Sequence, residues 1–322
     1  GVDFAFRNNI LTGSIEYYKK KGVDLIGDAL IDPTTGVSTI RGNFSNMETK
    51  GVDIQLNSKN IDQTLKWNTS FIFNYTTEKI TKYDIPQPIG AYFSAYKGSV
   101  APIVGYPLRG IFSYKWGGLD PTTGDPRIIL GDTLNKNYTA TTTNVILPSD
   151  LVYSGRYNPP FAGSILNSFS WKGVLLSFNI TYKMGHYFRR GSINYSSFTN
   201  NNWRAGHKDF ALRWSKPGDE LITDVPSLIY PETSSGRRDQ FYNNSTILIE
   251  KADHIRLQYV NVGYAFSENL LRNFKFKSLN VFFYVNNLGI IWRANKQNID
   301  PDYPYLNYPP SRSFSFGIKA GL

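Results

Sequence analysis

Between Phe161 and Met184 the chain alternates with a period of two. Phe161, Gly163, Ile165, Asn167 and Phe169 fall on one face, and Ala162, Ser164, Leu166, Ser168 and Ser170 on the other. After Trp171-Lys172-Gly173, the residues Val174, Leu176, Phe178, Ile180, Tyr182 and Met184 alternate with Leu175, Ser177, Asn179, Thr181 and Lys183. A period of two means strands, and the short link between them means a tight hairpin. The second strand runs about 11 residues with one apolar and one mostly polar face, and a tilted transmembrane strand needs about 9–11. Strands of soluble domains are usually about 5–6 residues long. The first question the chain poses is therefore whether it belongs to a membrane barrel.

The same alternation recurs along the chain. Val2, Phe4 and Phe6 share a face, Asn8-Asn9 turn, and Leu11, Gly13, Ile15 and Tyr17 continue, with Lys19–Lys21 expected to end the hairpin. Residues 22–46 read as a loop holding the turn Asp32-Pro33-Thr34-Thr35-Gly36. Strands follow over Met47–Asn57 and Leu65–Tyr75. Residues 80–160 are irregular apart from a strand-like Leu108–Trp116, and residues 185–250 form a second long connection. Compact soluble domains rarely carry such loops, whereas outer-membrane barrels carry them on the extracellular side. Lys251–Phe266 alternates with a phase slip near Tyr259-Val260, which predicts a bulge. Ser278–Asn286 and Arg312–Leu322 are the last strands, separated by a Pro- and Tyr-rich loop over 289–310. In a small barrel the last strand would close against the first and remove both edges.

Composition narrows the classes. No run of about 20 apolar residues exists, so no helix spans a bilayer, and a barrel is the other way to cross with satisfied backbone groups. The chain of 322 residues has no Cys, 15% aromatic and 41% hydrophobic residues. Its net charge of +10 is scattered, with short runs at Lys19–Lys21, Arg189-Arg190 and Arg237-Arg238. These read as loop charges facing water or lipid headgroups rather than as a nucleic-acid surface. No leader-like segment precedes Val2, which fits a mature chain or a fragment.

Catalytic constellations are not found. The chain has no phosphate loop, HExxH or Gly-x-Ser-x-Gly, and His186, His207 and His254 match no metal spacing. Asp120, Asp125 and Asp132 surround a second Asp-Pro-Thr-Thr-Gly turn, but a calcium loop needs ligands at other intervals, so a rigid turn is expected. Asp219 and Glu220 are adjacent, yet nothing singles out a glycosidase pair. Neither an enzyme nor a cofactor is expected. Three readings stand on the residues: a transporter barrel segment, a free-standing ten-strand passive pore, and a secreted soluble β domain that binds carbohydrate. The last predicts a closed apolar core; the others predict an outward apolar belt.

An ordered set of segments resembles one family. The segments are Leu11-Thr12-Gly13-Ser14-Ile15-Glu16-Tyr17-Tyr18, Asn46-Met47-Glu48-Thr49-Lys50-Gly51-Val52-Asp53, Gly118-Leu119-Asp120-Pro121-Thr122-Thr123-Gly124-Asp125-Pro126, Arg213-Trp214-Ser215-Lys216-Pro217-Gly218-Asp219, Ile255-Arg256-Leu257-Gln258-Tyr259, and Pro309-Pro310-Ser311-Arg312-Ser313-Phe314. Together they resemble the C-terminal part of SusC/RagA-type TonB-dependent outer-membrane transporters of Bacteroidota. The resemblance implies an all-β transmembrane antiparallel β-barrel, here roughly the last ten strands of 22, with long extracellular loops. Residues 1–322 would be the C-terminal portion of that barrel, with no plug domain or TonB box visible. It further implies import of an oligosaccharide or peptide, a SusD-like surface lipoprotein as lid, energy through TonB, and a setting of outer-membrane lipid and lipopolysaccharide. The closing Gly321-Leu322 departs from the aromatic ending common in such barrels. Loop aromatics and cations are the expected ligand contacts: Trp203, Arg204, Trp214, Tyr230, Arg237, Arg238, Tyr303 and Tyr305.

Overall fold

The computed structural model describes residues 1–30, 32, 34, 36, 39–85, 87–93, 101–141, 146–196, 206–230, 236–271, 276–305 and 308–321. In chain order the strands are β1 (Val2–Phe6), β2 (Leu11–Leu30), β3 (Thr39–Asp62), β4 (Leu65–Tyr83), β5 (Gly110–Ser113), β6 (Lys115–Leu119), β7 (Pro126–Leu130) and β8 (Thr133–Asn135). They continue as β9 (Val152–Arg156), β10 (Phe161–Trp171), β11 (Val174–Met184), β12 (Tyr187–Arg189), β13 (Ile249–Lys251), β14 (His254–Ala265), β15 (Ser278–Arg293) and β16 (Ser313–Gly321). Nine of them make one sheet in the order β1-β2-β3-β4-β10-β11-β14-β15-β16.

Register turns local alternation into a single apolar surface. One line of directly opposed residues crosses the whole sheet: Phe6, Leu11, Ser58, Thr69, Asn167, Phe178, Val260, Val285 and Phe314. Because side chains alternate, the neighbours two residues away share that face, among them Phe71, Ile165 and Ile180. Among the described residues it is open toward the β16 edge. Phe316 is 70% exposed and Ile318 63%. A soluble domain would bury such a face; a bilayer covers it with acyl chains. The opposite face carries Ser14, Gln55, Ser164, Thr181 and Arg256, as the wet side of a barrel wall requires. The bulge expected near Tyr259 is present: Asn179 pairs with Tyr259 and Ile180 with Leu257, leaving Gln258 between them.

The nine strands of the sheet agree with the roughly ten expected, and among the described residues β1 and β16 are its two edges. Three readings of the sequence need correction. The expected loop over 22–46 is largely strand, since β2 and β3 pair from Leu11↔Ser58 out to Leu30↔Thr39. This outer half breaks register near Gly22 and Leu25 and is rich in Gly, Asp and Asn, so it shows no apolar period. Lys19–Lys21 do not end the hairpin; Lys19 instead reaches Glu48 on the paired strand at 3.3 Å. Finally, β15 runs on to Arg293, into the segment expected to be loop.

The connections are sharply unequal. Residues 7–10, 63–64 and 172–173 close tight turns at one end, whereas 84–160, 185–253 and 294–312 lie at the other. The first two long connections are not bare loops. They fold together into a cap that holds the hydrophobic core. Phe112, Tyr114, Ile128 and Phe241 centre one cluster, and Ile193, Tyr195, Tyr242 and Leu248 a second. The helix Arg237–Asn243 serves both, since Phe241 enters one cluster and its neighbour Tyr242 the other. Tyr114 interrupts the strand expected over Leu108–Trp116: its N–H donates to the Asn244 carbonyl at 2.9 Å, and its carbonyl accepts from Thr246 N–H at 2.9 Å.

Close approach, rather than turning, explains Gly163. It sits opposite Tyr182, whose ring crosses it so that the hydroxyl donates to the Ile72 carbonyl of β4 at 3.2 Å. A Cβ there would lie 2.0 Å from that carbonyl oxygen. Gly163→Val is therefore expected to force β4, β10 and β11 apart and to cost about 1–3 kcal/mol. The check is the temperature at which the folded barrel loses its compact migration in detergent gels, which should fall.

Candidate functional site

A cavity of about 1170 Å³ opens on the polar side of the sheet at the long-loop end. Its floor is the top of β14 and β15, through Arg256, Ile290 and Arg293, and its sides are the 294–312 connection and the cap, through Tyr303, Tyr305 and Tyr157. Alternation explains the floor. His254 and Arg256 stand two apart on the polar face of β14, opposite Lys183 and Thr181, and Arg293 pairs with His254.

A charged clamp fixes the 294–312 connection to this floor. Arg256 Nη2 lies 2.6 Å from Asp300 Oδ1 and 3.1 Å from Asp302 Oδ2. Lys183 Nζ donates to Asp302 Oδ1 at 2.6 Å, and His254 Nε2 lies 3.2 Å from Oδ2. Burial alone would raise the Asp302 carboxyl, but hydrogen bonds from His254 and Lys183 and their charges hold it well below the usual range. His186 lies against this clamp with its ring centroid 6.0 Å from that of His254. Burial, assisted by the His254 charge, lowers its pKa to about 4.

The expected contact residues separate into groups. Tyr303 and Tyr305 line the cavity. Tyr230 is 81% exposed in the cap, and Arg237 is half-buried at the start of its helix. Trp214 and Arg238 are buried in the cap and hold its turns. The Trp214 indole covers Gly124 and donates to Glu220 Oε2 at 3.0 Å. Arg238 Nε donates to Asp125 Oδ1 at 2.8 Å and Nη2 to Ser227 Oγ at 2.9 Å. Trp203 and Arg204 lie outside the described residues. Arg189 also departs from the solvated setting expected for the basic pairs: buried, it donates to the Phe93 carbonyl and Asn244 Oδ1, both at 3.2 Å. Each of these guanidiniums is buried because carbonyls and carboxylates meet it there.

The Asp120 turn is braced by hydrogen bonds to its own carboxylate. Its carboxylate accepts from Thr122 N–H at 2.9 Å and Thr123 N–H at 3.1 Å, and pairs with Lys136 at 2.8 Å. Among the described residues no group of His, Asp and Glu is arranged to hold a metal ion. Sequence reasoning missed Arg256, Arg293, Asp300, Asp302 and Arg312. Polar residues at the ends of β14 and β15 were the available signal, but only pairing shows that they share a face.

Comparisons with known proteins bear directly on this architecture. No family model matches the chain. It is 25% identical to TonB-dependent receptor P39 of Formosa agariphila, over 99% of this chain and 34% of that protein. TonB-dependent receptor P3 of the same organism is 23% identical over 99% of this chain and 33% of its own length. The chain thus spans about a third of the curated relatives it matches. Its fold is that of the RagAB peptide transporter, with a TM-score of 0.71 at 21% identity, covering 97% of this chain and 33% of that one. The closed-closed state of the RagAB peptide importer gives 0.74 at 19% identity, covering 99% and 34%. The chain is thus similar over nearly its whole length to the C-terminal third of proteins named TonB-dependent receptors, and it shares the fold of the RagAB transporter chain. In that light the nine-stranded sheet is a transmembrane barrel wall, and the cap and cavity stand at its long-loop end.

Two outcomes follow for the cap and its junction with the sheet. Removing Arg238 by Arg238→Ala leaves the Asp125 carboxylate without its buried partner, a loss of about 3–5 kcal/mol locally. Faster hydrogen exchange over 117–128 and 206–230, with strand amides unchanged, would show it. For His186, the ordinary value is 6.5 and the folded one about 4. The folded state thus favours the neutral ring, and its contribution is complete above the ordinary value and lost as pH falls toward the folded one. By pH 5 the loss should reach about 2 kcal/mol. Exchange protection over 185–190 and 249–254, after correction for the intrinsic amide rate at each pH, should fall between pH 7 and 5 in the wild type and change less in His186→Gln.

Proposed function

We propose that residues 1–322 form the C-terminal barrel portion of an outer-membrane importer in a Gram-negative bacterium of the Bacteroidota. The importer takes up a sizeable nutrient together with a SusD-like surface lipoprotein and is driven through TonB. The plug and TonB box belong, on this reading, to other parts of a longer polypeptide. One observation carries it: a lipid-facing apolar surface across nine strands backs a wet face that opens, at the long-loop end, into a cavity of about 1170 Å³. That volume suits an oligomer segment rather than an ion. No covalent chemistry is assigned to these residues. Transport rests on binding that differs between states of a gate.

Between the two ligand classes, peptide is favoured. The cavity mixes apolar side chains, Leu288, Ile290, Pro304 and Pro309, with guanidiniums and phenols, so it can take side chains of different kinds. The neighbours of known structure are described as a peptide transporter and a peptide importer. Oligosaccharide remains the second reading because Tyr157, Tyr303 and Tyr305 offer stacking faces. Tyr303 and Tyr305 are the proposed ligand contacts. Tyr230 and Arg237, on the cap, are proposed to meet the lipoprotein.

The test is uptake by cells. Disrupting the gene should abolish growth on peptides as sole nitrogen source and leave growth on free amino acids intact. Unchanged growth on both peptides and oligosaccharides would overturn the reading. In the purified full-length protein, Tyr303→Ala should weaken ligand binding several-fold, about 3–10, as expected for one lost ring contact.

A further inference from the structure

Four charged side chains other than histidine line the large cavity: Arg256, Arg293, Asp300 and Arg312. Only two of them neutralise each other. Arg256 is engaged by Asp300 at 2.6 Å. Arg293 and Arg312 make no ion pair and no hydrogen bond with any carboxylate among the described residues. They come from different elements, one at the end of β15 and the other just before β16, and face the same space. Gly289 also lines that space. Its φ is +128°, and a side chain starting there would begin 3.9 Å from Arg312 Nη2.

We propose that this end of the cavity is a carboxylate subsite, with Arg293 and Arg312 as its anchors, and that the ligand it selects is an acidic peptide. The inference rests on the import reading and narrows it. A guanidinium offers a planar fork of donors that matches a carboxylate, and two such forks in one concave wall concentrate positive potential where ligand enters. Asp300 does not cancel this field, because Arg256 already balances it. Its neighbour Asp302 is balanced by Lys183 and His254. Leu288 and Ile290 beside the two arginines provide apolar contacts for neighbouring peptide side chains, which a uronate chain would leave unused.

The experiment uses the full-length transporter purified with its lipoprotein. Binding is measured for a fluorescent Asp- and Glu-containing peptide, for the same peptide with Asn and Gln, and for a uronate oligosaccharide. The acidic peptide should bind roughly tenfold tighter than its neutral twin at low salt, since charged hydrogen bonds exceed neutral ones by about that factor. The preference should shrink with added salt, disappear in the Arg293→Gln/Arg312→Gln variant, and survive in part in Arg312→Lys. Arg312 is exposed, so Arg312→Gln alone is a variant expected to fold, and it should lose part of the preference. Equal binding of both peptides would overturn the subsite and leave peptide import standing. So would a preference that persists in the double variant. Arginine-dependent binding of the uronate without peptide binding would overturn the peptide assignment. Failure of every ligand to bind would remove the import reading as well.

Discussion

Within a bilayer, no water is present to satisfy a backbone N–H or carbonyl, so every strand depends on its neighbours. The rest of this structure hangs on that ladder. It is continuous from β1 to β16, and its register places apolar side chains from all nine strands on one side. A slip of one residue at any pair would turn that strand's apolar set into the lumen. The devices that pin the register are local. Tyr182 lies over Gly163 and reaches the β4 backbone. Phe282 stands between two glycines, Gly263 and Gly317, on the flanking strands. At β14 the spare residue Gln258 absorbs a mismatch that would otherwise move Ile255 and Leu257 off the lipid face.

With the wall stabilised by lipid and backbone pairing, the conventional core is free to sit elsewhere. It sits in the cap, where two connections that are far apart in sequence pack on each other. Burying arginines there is costly unless each N–H finds an acceptor. Arg189 joins Phe93, Phe112 and Asn244; Arg238 joins the Asp125 turn to Ser227. These contacts act as cross-links between segments that have little regular structure of their own. They give the cap a defined shape against which the cavity is built.

What the sequence made legible follows from the range of the interactions. The hairpin of β10 and β11 was read with its ends correct, because alternation and a tight turn are local signals. The bulge in β14 was read from a break in the same alternation. The outer parts of β2 and β3 were not, since the period of two is lost where Leu25 and Ile26 follow Val23 across the register shifts, and only pairing defines them. The cap core was not legible either: Tyr114 meets Asn244 and Thr246 across more than a hundred residues of chain, and no period reports such a contact. At the site, Tyr303 and Tyr305 were found by residue type in a Pro-rich loop. Trp214 and Arg238 were chosen by the same rule, yet lie buried in turns, because residue type does not distinguish a ring facing ligand from a ring covering a glycine.

The clamp around Asp302 bears on how such a wall can take part in gating. Three cationic or imidazole groups from two adjacent strands converge on this carboxylate, and Asp300 adds a fourth contact through Arg256. Moving the 294–312 connection away from the floor would expose partly buried charges that are paired now. A partly buried carboxylate stripped of its partners is far less stable than one that keeps them. Arg156 similarly fixes the cap side to β4, donating to the Thr76 carbonyl at 3.3 Å and to Thr77 Oγ1 at 3.0 Å. Both sides of the cavity are therefore tied to the same sheet, one to β11 and β14 and the other to β4. On the import reading, a gate over this cavity would need a stationary surface to close against, and two-state motion would have to come from parts not held by these pairs. This wall has the properties of the stationary surface.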